Sequence, residues 1–426
     1  MTAQRRNAAI DALRGVAVLG TFASNIWIFT TRHNLAAAAA EREGAHGQAG
    51  LAPTHFEPLS HWKTLDGAIA LIFECLSNGK FLALLSILFG VGMCAQFESA
   101  QRHGYRWPWR YYWRTTLLFI DGLLHHLFVV EFDILMGYAL AAFVAAPLLL
   151  LRGAWRWVAV ALAASTHLAL EARRAVEAMR TLGQSLGRSD ETLELVSATS
   201  LTYGAQVSAR WEHFWAYRQE AFVLTPPLSI TLFLLGAQLW RGGWFDDTDR
   251  ARAQRKRLAT VTLCVGAPLT VLPTLELLPI GANFALYSLQ RYTVAPIVGL
   301  GYLCVGLTLL ERRRDGATFA RLSELGRSSL SVYVLQNIVC SALFYRWGLA
   351  LAPLSSLQTA LAWAALSATL ALCAWWWSRG QRQGPFERLW RWLSDAPFAR
   401  RSVQDQRDPQ RDERGLGDDR DERRLR

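Results

Sequence analysis

Residues 111–140 read YYWRTTLLFIDGLLHHLFVVEFDILMGYAL. The run is apolar enough to enter a bilayer, yet Asp121, His125, His126, Glu131 and Asp133 fall within thirteen residues. An ionisable group at bilayer depth costs about 2.5–3.5 kcal/mol on insertion scales, so such groups usually face a bundle interior or a wet cavity. Asp121 and His125 are i and i+4 and share a helix face, with His126 about 100° round. A carboxylate within reach of an imidazole fixes its tautomer and raises its basicity, which suits a general base. The same residues also fit a polar helix end whose histidines bond to backbone or to neighbouring helices.

The rest of the chain settles the class. Of 426 residues, 52% are hydrophobic and 19% charged, against about 25% charged in an average soluble domain. Several apolar runs of about 18 residues or more give an all-α fold, a polytopic transmembrane helical bundle. The net charge of +11 is therefore no nucleic-acid footprint, because most Lys and Arg fall in connectors and orient the helices. The six cysteines lie in apolar segments without a CxxC pair or Cys/His metal spacing, so no metal site is expected. The first apolar run follows Arg5 and Arg6 but lacks a small-residue cleavage site, and it reads as a first membrane helix.

About ten spans emerge, near residues 15–31, 81–97, 113–130, 134–151, 157–170, 222–240, 258–278, 292–310, 330–349 and 357–377. Residues 65–76 are apolar but short, which suggests an interfacial or re-entrant piece. With both termini cytoplasmic, the inner connectors 98–112, 152–156, 241–257 and 311–328 are the basic ones, as the positive-inside rule requires. Residues 1–395 then form one transmembrane domain with outer excursions at 32–64 and 171–221, and 396–426 a disordered charged cytoplasmic tail.

Four further stretches carry polar groups. Asp11 and Arg14 are i and i+3 at the inner boundary of the first span, and Asn25 lies deeper. Arg14 is either a headgroup anchor or a contact for a phosphate-bearing donor. Residues 78–94, NGKFLALLSILFGVGMC, place small residues where helices approach closely, and Lys80 reads as an interface marker. Arg327, Ser329, Ser331, Tyr333, Gln336 and Asn337 form a polar stripe on an apolar helix, lining a cavity or bonding to neighbours. Residues 384–393, GPFERLWRWL, read as an interfacial helix.

Taken in order, these segments resemble the YeiB-like family of bacterial polytopic membrane proteins. Its LDxLRG box is matched at Ile10–Gly15, with Asn25-Ile26 following. KFxxLFSxLFG is matched at Lys80-Phe81 and Leu84 to Gly90, with Leu85 at the usual Phe. A GLLH box falls at Gly122 to His125, and a DIL…Y box at Asp133-Ile134-Leu135 with Tyr138. Residues 232–245, LFLLGAQLWRGGWF, resemble the LLGMxLGRxG element; GRSSLSVYVLQN resembles GRMALTNYLLQS, and GPFERLWR the closing GPLEWLWR. Asn337 stands where Ser is usual, and a C-terminal family-like core covers about 225–395.

The family's architecture resembles that of transmembrane acyltransferases such as the lysosomal heparan glucosaminide acetyltransferase. The resemblance implies acyl-CoA, acetyl-CoA first among candidates, as cytoplasmic donor and no metal. It implies a glycan or lipid acceptor across a bacterial inner membrane. His125 would be the base, with Asp133 orienting it or the substrate. Asp11, Arg14, Asn25, His126, Arg327, Tyr333 and Gln336 would contact donor or substrate. A transporter of a small metabolite or lipid, and a non-catalytic membrane assembly component, remain alternatives, and homo-oligomerisation is open.

Overall fold

A computed structural model describes residues 3–30, 62–184, 202–275, 277–278, 280–313, 316–380 and 383–407. The expected excursion over 32–61, the middle of the second excursion and residues 408–426 of the expected tail lie outside the described residues. The described chain is helical: α1 (Ala3–Thr30), α2 (Leu65–Ser77), α3 (Lys80–Arg102), α4 (Trp109–Phe128), α5 (Leu135–Leu148), α6 (Trp155–Gln184), α7 (Tyr203–Glu212) and α8 (Phe214–Val223). After these come α9 (Thr225–Arg241), α10 (Asp249–Val271), α11 (Ile280–Leu289), a π-helical turn at Gln290–Val294, α12 (Ala295–Arg312), α13 (Ala317–Arg327), α14 (Ser329–Phe344), α15 (Ser356–Gly380) and α16 (Pro385–Arg407).

Among the described residues, six helical runs are long and apolar enough to cross a membrane: Ala8–Thr30, Leu65–Arg102, Tyr217–Arg241, Asp249–Leu275, Ala285–Arg312 and Ser356–Gly380. Two shorter apolar helices, Leu135–Leu148 and Ser329–Phe344, accompany them. In lipid the helix is the element that satisfies its own backbone, so this is a multi-pass membrane architecture. Three sequence expectations change. Residues 65–76 are not a separate interfacial piece but α2, continuous with α3 through a break at Asn78-Gly79, where Gly79 takes φ 73°. Residues 171–184, the start of the expected excursion, are helical and continue α6. Residues 396–407 extend α16 rather than opening the tail.

Two apolar cores form. One gathers α3, α5, α9 and α12 around Leu88, Val91, Phe233 and Ala142. The other gathers α1, α14 and α15 around Phe22, Phe29, Val332 and Leu370. Helix α3 crosses α9 through a reciprocal glycine contact: a Cβ on Gly90 would lie 2.1 Å from Phe233 O, and one on Gly236 the same distance from Ile87 O. Small residues give membrane helices the close approach that van der Waals packing needs. The small residues in 78–94 thus serve packing. Helices α4 and α5 lean on the first core and α14 on the second, so the histidine pair falls at the seam.

Candidate functional site

Helix α4 ends just past its histidines. The amides of Val129 and Val130 both donate to His125 O at 2.9 Å, turning the chain back over the helix end. Asp133 returns across Gly122, where a Cβ would stand 2.9 Å from Asp133 Oδ2 and 2.7 Å from Met136 N. That contact is the physical content of the glycine in the GLLH box.

His125 Nδ1 lies 2.7 Å from Asp133 Oδ1, with the two side chains 2% and 0% exposed. The other Asp133 oxygen accepts from Leu135 N at 2.8 Å and opens α5. Tyr333 donates its hydroxyl to Asp133 Oδ1 at 3.1 Å, its ring 5.3 Å from the imidazole. The carboxylate thereby claims the Nδ1 proton and leaves Nε2 as the basic nitrogen. Asn337 Nδ2 faces that nitrogen at 3.4 Å. The Oδ1 of buried Asn337 and, next to it in α14, both amide atoms of buried Gln336 have no hydrogen-bond partner among the described residues. Buried polar atoms normally find protein or water partners, so this seam has polar capacity to spare beside a base.

The turn is clamped from above by α7 and α8. Arg210 pairs with Glu131 Oε2 at 3.0 Å and donates to Leu127 O at 3.3 Å. Tyr203 donates to Phe128 O at 3.0 Å. Cations and donors at a helix C-terminus satisfy its last carbonyls and oppose its dipole. Buried Arg218 donates to Asp133 O at 2.5 Å and Glu131 O at 3.2 Å. Tyr345 of the 129–134 turn's other flank donates to Glu131 Oε1 at 3.2 Å. Arg210, Arg218 and Tyr345 were not singled out from the sequence, and Glu131 and Asn337 were noted there without a role at the site. Arg210 and Arg218 among the aromatics of RWEHFWAYRQEAF, residues 210–222, are an interfacial signature that would have drawn 203–223 back to the membrane.

The remaining predicted residues divide. Tyr333 joins His125 and Asp133 from α14, and Gln336, buried one turn further along that helix, has no hydrogen-bond partner among the described residues. His126 turns away: its Nδ1 meets Glu131 O at 2.9 Å and its ring packs on Phe214 of α8, so it buttresses the turn rather than facing a substrate. Asp121 does not hold His125; Asp133 does. Asp11, Arg14 and Arg327 form a second group at the far end of α1. Arg14 Nη1 lies 3.6 Å from Asp11 Oδ1, and exposed Arg327 is near enough to act on Asp11 electrostatically. Half-buried Asn25 belongs to neither group.

The family boxes meet in space. Tyr138 of the DIL…Y box hydrogen-bonds Ser86 of the KFxxLFSxLFG box and donates to Leu82 O at 3.3 Å. Glu387 of the closing GPFERLWR box accepts from Leu330 N at 2.7 Å and Ser331 N at 3.0 Å, and also from the Ser331 hydroxyl. The closing box is thus a side-chain cap for α14, the helix that brings Tyr333 and Asn337 to His125. Its bland reading as an interfacial helix omits this role.

Residues 239–397 match the family model described as a protein of unknown function, DUF418. The chain is 28% identical over 377 residues to the uncharacterized protein YxaH of Bacillus subtilis (strain 168), covering 81% of this chain and 87% of that one. It is 26% identical over 427 residues to the uncharacterized protein YeiB of Escherichia coli (strain K12), covering 91% and 96%. The chain is thus similar over most of its length to these two bacterial proteins, and its C-terminal part to the family model. No solved structure matches it. Within this YeiB-like chain the matched region holds α14 and the closing box, whereas His125 and Asp133 lie upstream of it.

Proposed function

We propose that this YeiB-like protein is a bacterial inner-membrane acyltransferase of about ten spans with both termini cytoplasmic. It moves an acyl group from acyl-CoA to a hydroxyl or amine of an extracytoplasmic glycan or lipid. The observation that carries the reading is the buried His125–Asp133 pair, which keeps Nε2 basic beside unpartnered polar groups. In the reaction, Nε2 takes the proton of the attacking O–H or N–H while the new ester or amide bond forms at the thioester carbonyl. The C–S bond breaks, and the CoA thiolate recovers the proton. Arg14 and Arg327, at the other end of α1, supply cationic groups for a phosphate-bearing donor.

A well-placed base contributes about 10²–10⁴-fold to such a step. Purified protein in lipid vesicles should be stabilised against thermal unfolding by acetyl-CoA. It should transfer label to a lipid or glycan extract, and His125→Ala should remove the transfer by a factor in that range while keeping the thermal shift. No shift with any acyl-CoA, together with unchanged behaviour of His125→Ala, sinks the enzyme reading. A metabolite or lipid transporter is the second reading, favoured by one observation, the broken helix α2–α3, since discontinuous helices commonly carry transporter sites.

A further inference from the structure

The break between α2 and α3 holds a buried polar cluster separate from the His125 seam. From Asp66 to Ser77 α2 spans about 16 Å, and a further stretch of about 18 Å separates Lys80 from Gly92. The break therefore lies well inside the 38-residue run Leu65–Arg102, at a depth where a hydrocarbon core of about 30 Å surrounds it. Lys80 is fully buried, so it is no interface marker. Its ammonium donates to Glu74 O and Asn78 O, each at 3.2 Å, two carbonyls that the break releases from helical bonding. Asn78 donates to Glu74 Oε1 at 2.6 Å and to the Tyr287 hydroxyl at 2.7 Å, and accepts from Arg291 at 2.6 Å. Tyr287 and Arg291 come from the turn before the π-helical segment and from that segment, a departure from regular helix often found at functional sites.

The lysine thus sits as a tethered cation in main-chain carbonyls, while the neutral Asn78 amide holds the Glu74 carboxyl. Beside that carboxyl is a cavity of about 10 Å³, room for about one water, lined by Ser24, Trp27, Phe73, Glu74, Ser77 and Asn78. We propose that the break is a proton-binding site, in which the Glu74 carboxyl gains and loses a proton to a water in this cavity. The titratable and charged groups facing Glu74 are Lys80 and Cys75 in its own run, and Tyr287 and Arg291 opposite. The ionised carboxylate is stabilised by the two fixed cations, the neutral acid by burial. An intramembrane carboxyl poised between those states is suited to proton exchange. The site is independent of the chemistry at His125.

Infrared difference spectra of the full chain in lipid vesicles, recorded along a pH titration, test this. Wild type should show a protonated-carboxyl C=O band that vanishes as pH rises, and Glu74→Gln should lose that band. Asp121, Glu131 and Asp133 remain in both, so only the difference counts. Lys80→Met should shift the midpoint to higher pH, because losing a cation makes the carboxylate harder to form, and Glu74→Asp should also move it. A wild-type spectrum without a titrating band, the same band in Glu74→Gln, or a midpoint unmoved in both Lys80→Met and Glu74→Asp overturns the proposal.

Discussion

The His125 turn and the α2–α3 break solve one problem in two ways. Both keep ionisable groups inside an apolar bundle. At the turn the imidazole is held by another side chain: Asp133 receives His125 and Tyr333, while Arg210 meets Glu131. At the break, Lys80 is held by main-chain carbonyls that an interrupted helix leaves open. The first arrangement fixes a tautomer and leaves one nitrogen basic. The second holds a cation in place and leaves a carboxyl beside a water-sized space. A paired site depends on its partner's side chain, whereas a carbonyl-held site depends on the backbone break.

That contrast can be broken by substitution. Asp133→Ala leaves three donors without their acceptor, His125 Nδ1, the Tyr333 hydroxyl and Leu135 N, and at about 1–3 kcal/mol each should cost about 3–5 kcal/mol of stability. Unfolding in mixed detergent micelles measures it, and a loss no greater than that of Lys80→Met would erase the distinction between the two regions. Glu387→Ala removes the acceptor for Leu330 N and Ser331 N and should cost about 1–3 kcal/mol. It should also loosen the α14 side of the turn, so the environment of Tyr333 should change in the same variant while that of Tyr287 stays put. Tyr203→Phe removes a single bond to Phe128 O at an exposed site and should cost only about 0.5–1.5 kcal/mol. A larger loss would mean that the outer clamp carries more of the turn than its geometry indicates.

Much of the His125 site was legible because its chemistry is local. His125 and Asp133 are eight residues apart in one apolar stretch, and Tyr333 with Gln336 showed as polar residues on an apolar helix. The choice of Asp133 over Asp121 came only from the family pattern, since helical spacing alone favours Asp121. The clamp was illegible for a different reason. Arg210 and Arg218 lie in a stretch whose arginines and aromatics point only to a membrane interface, and nothing in sequence names Glu131 and Asp133 as the groups they reach. Lys80 was misread because a lysine beside a glycine at the end of an apolar run looks like an interface. Only the continuity of α2 with α3 puts it in the interior.

By itself, the sequence determined that the chain is helical and enters a membrane, because apolar run length and the need to satisfy backbone groups in lipid leave few alternatives. It also determined which stretch holds the imidazole and its carboxylate. The tertiary structure alone decided which nitrogen of His125 is bonded, that Glu387 caps α14 across 56 residues, and that Arg291 reaches Asn78 across 213. Those outcomes depend on where helices cross and where they break, and contacts between residues so far apart in the chain have no local periodicity to announce them.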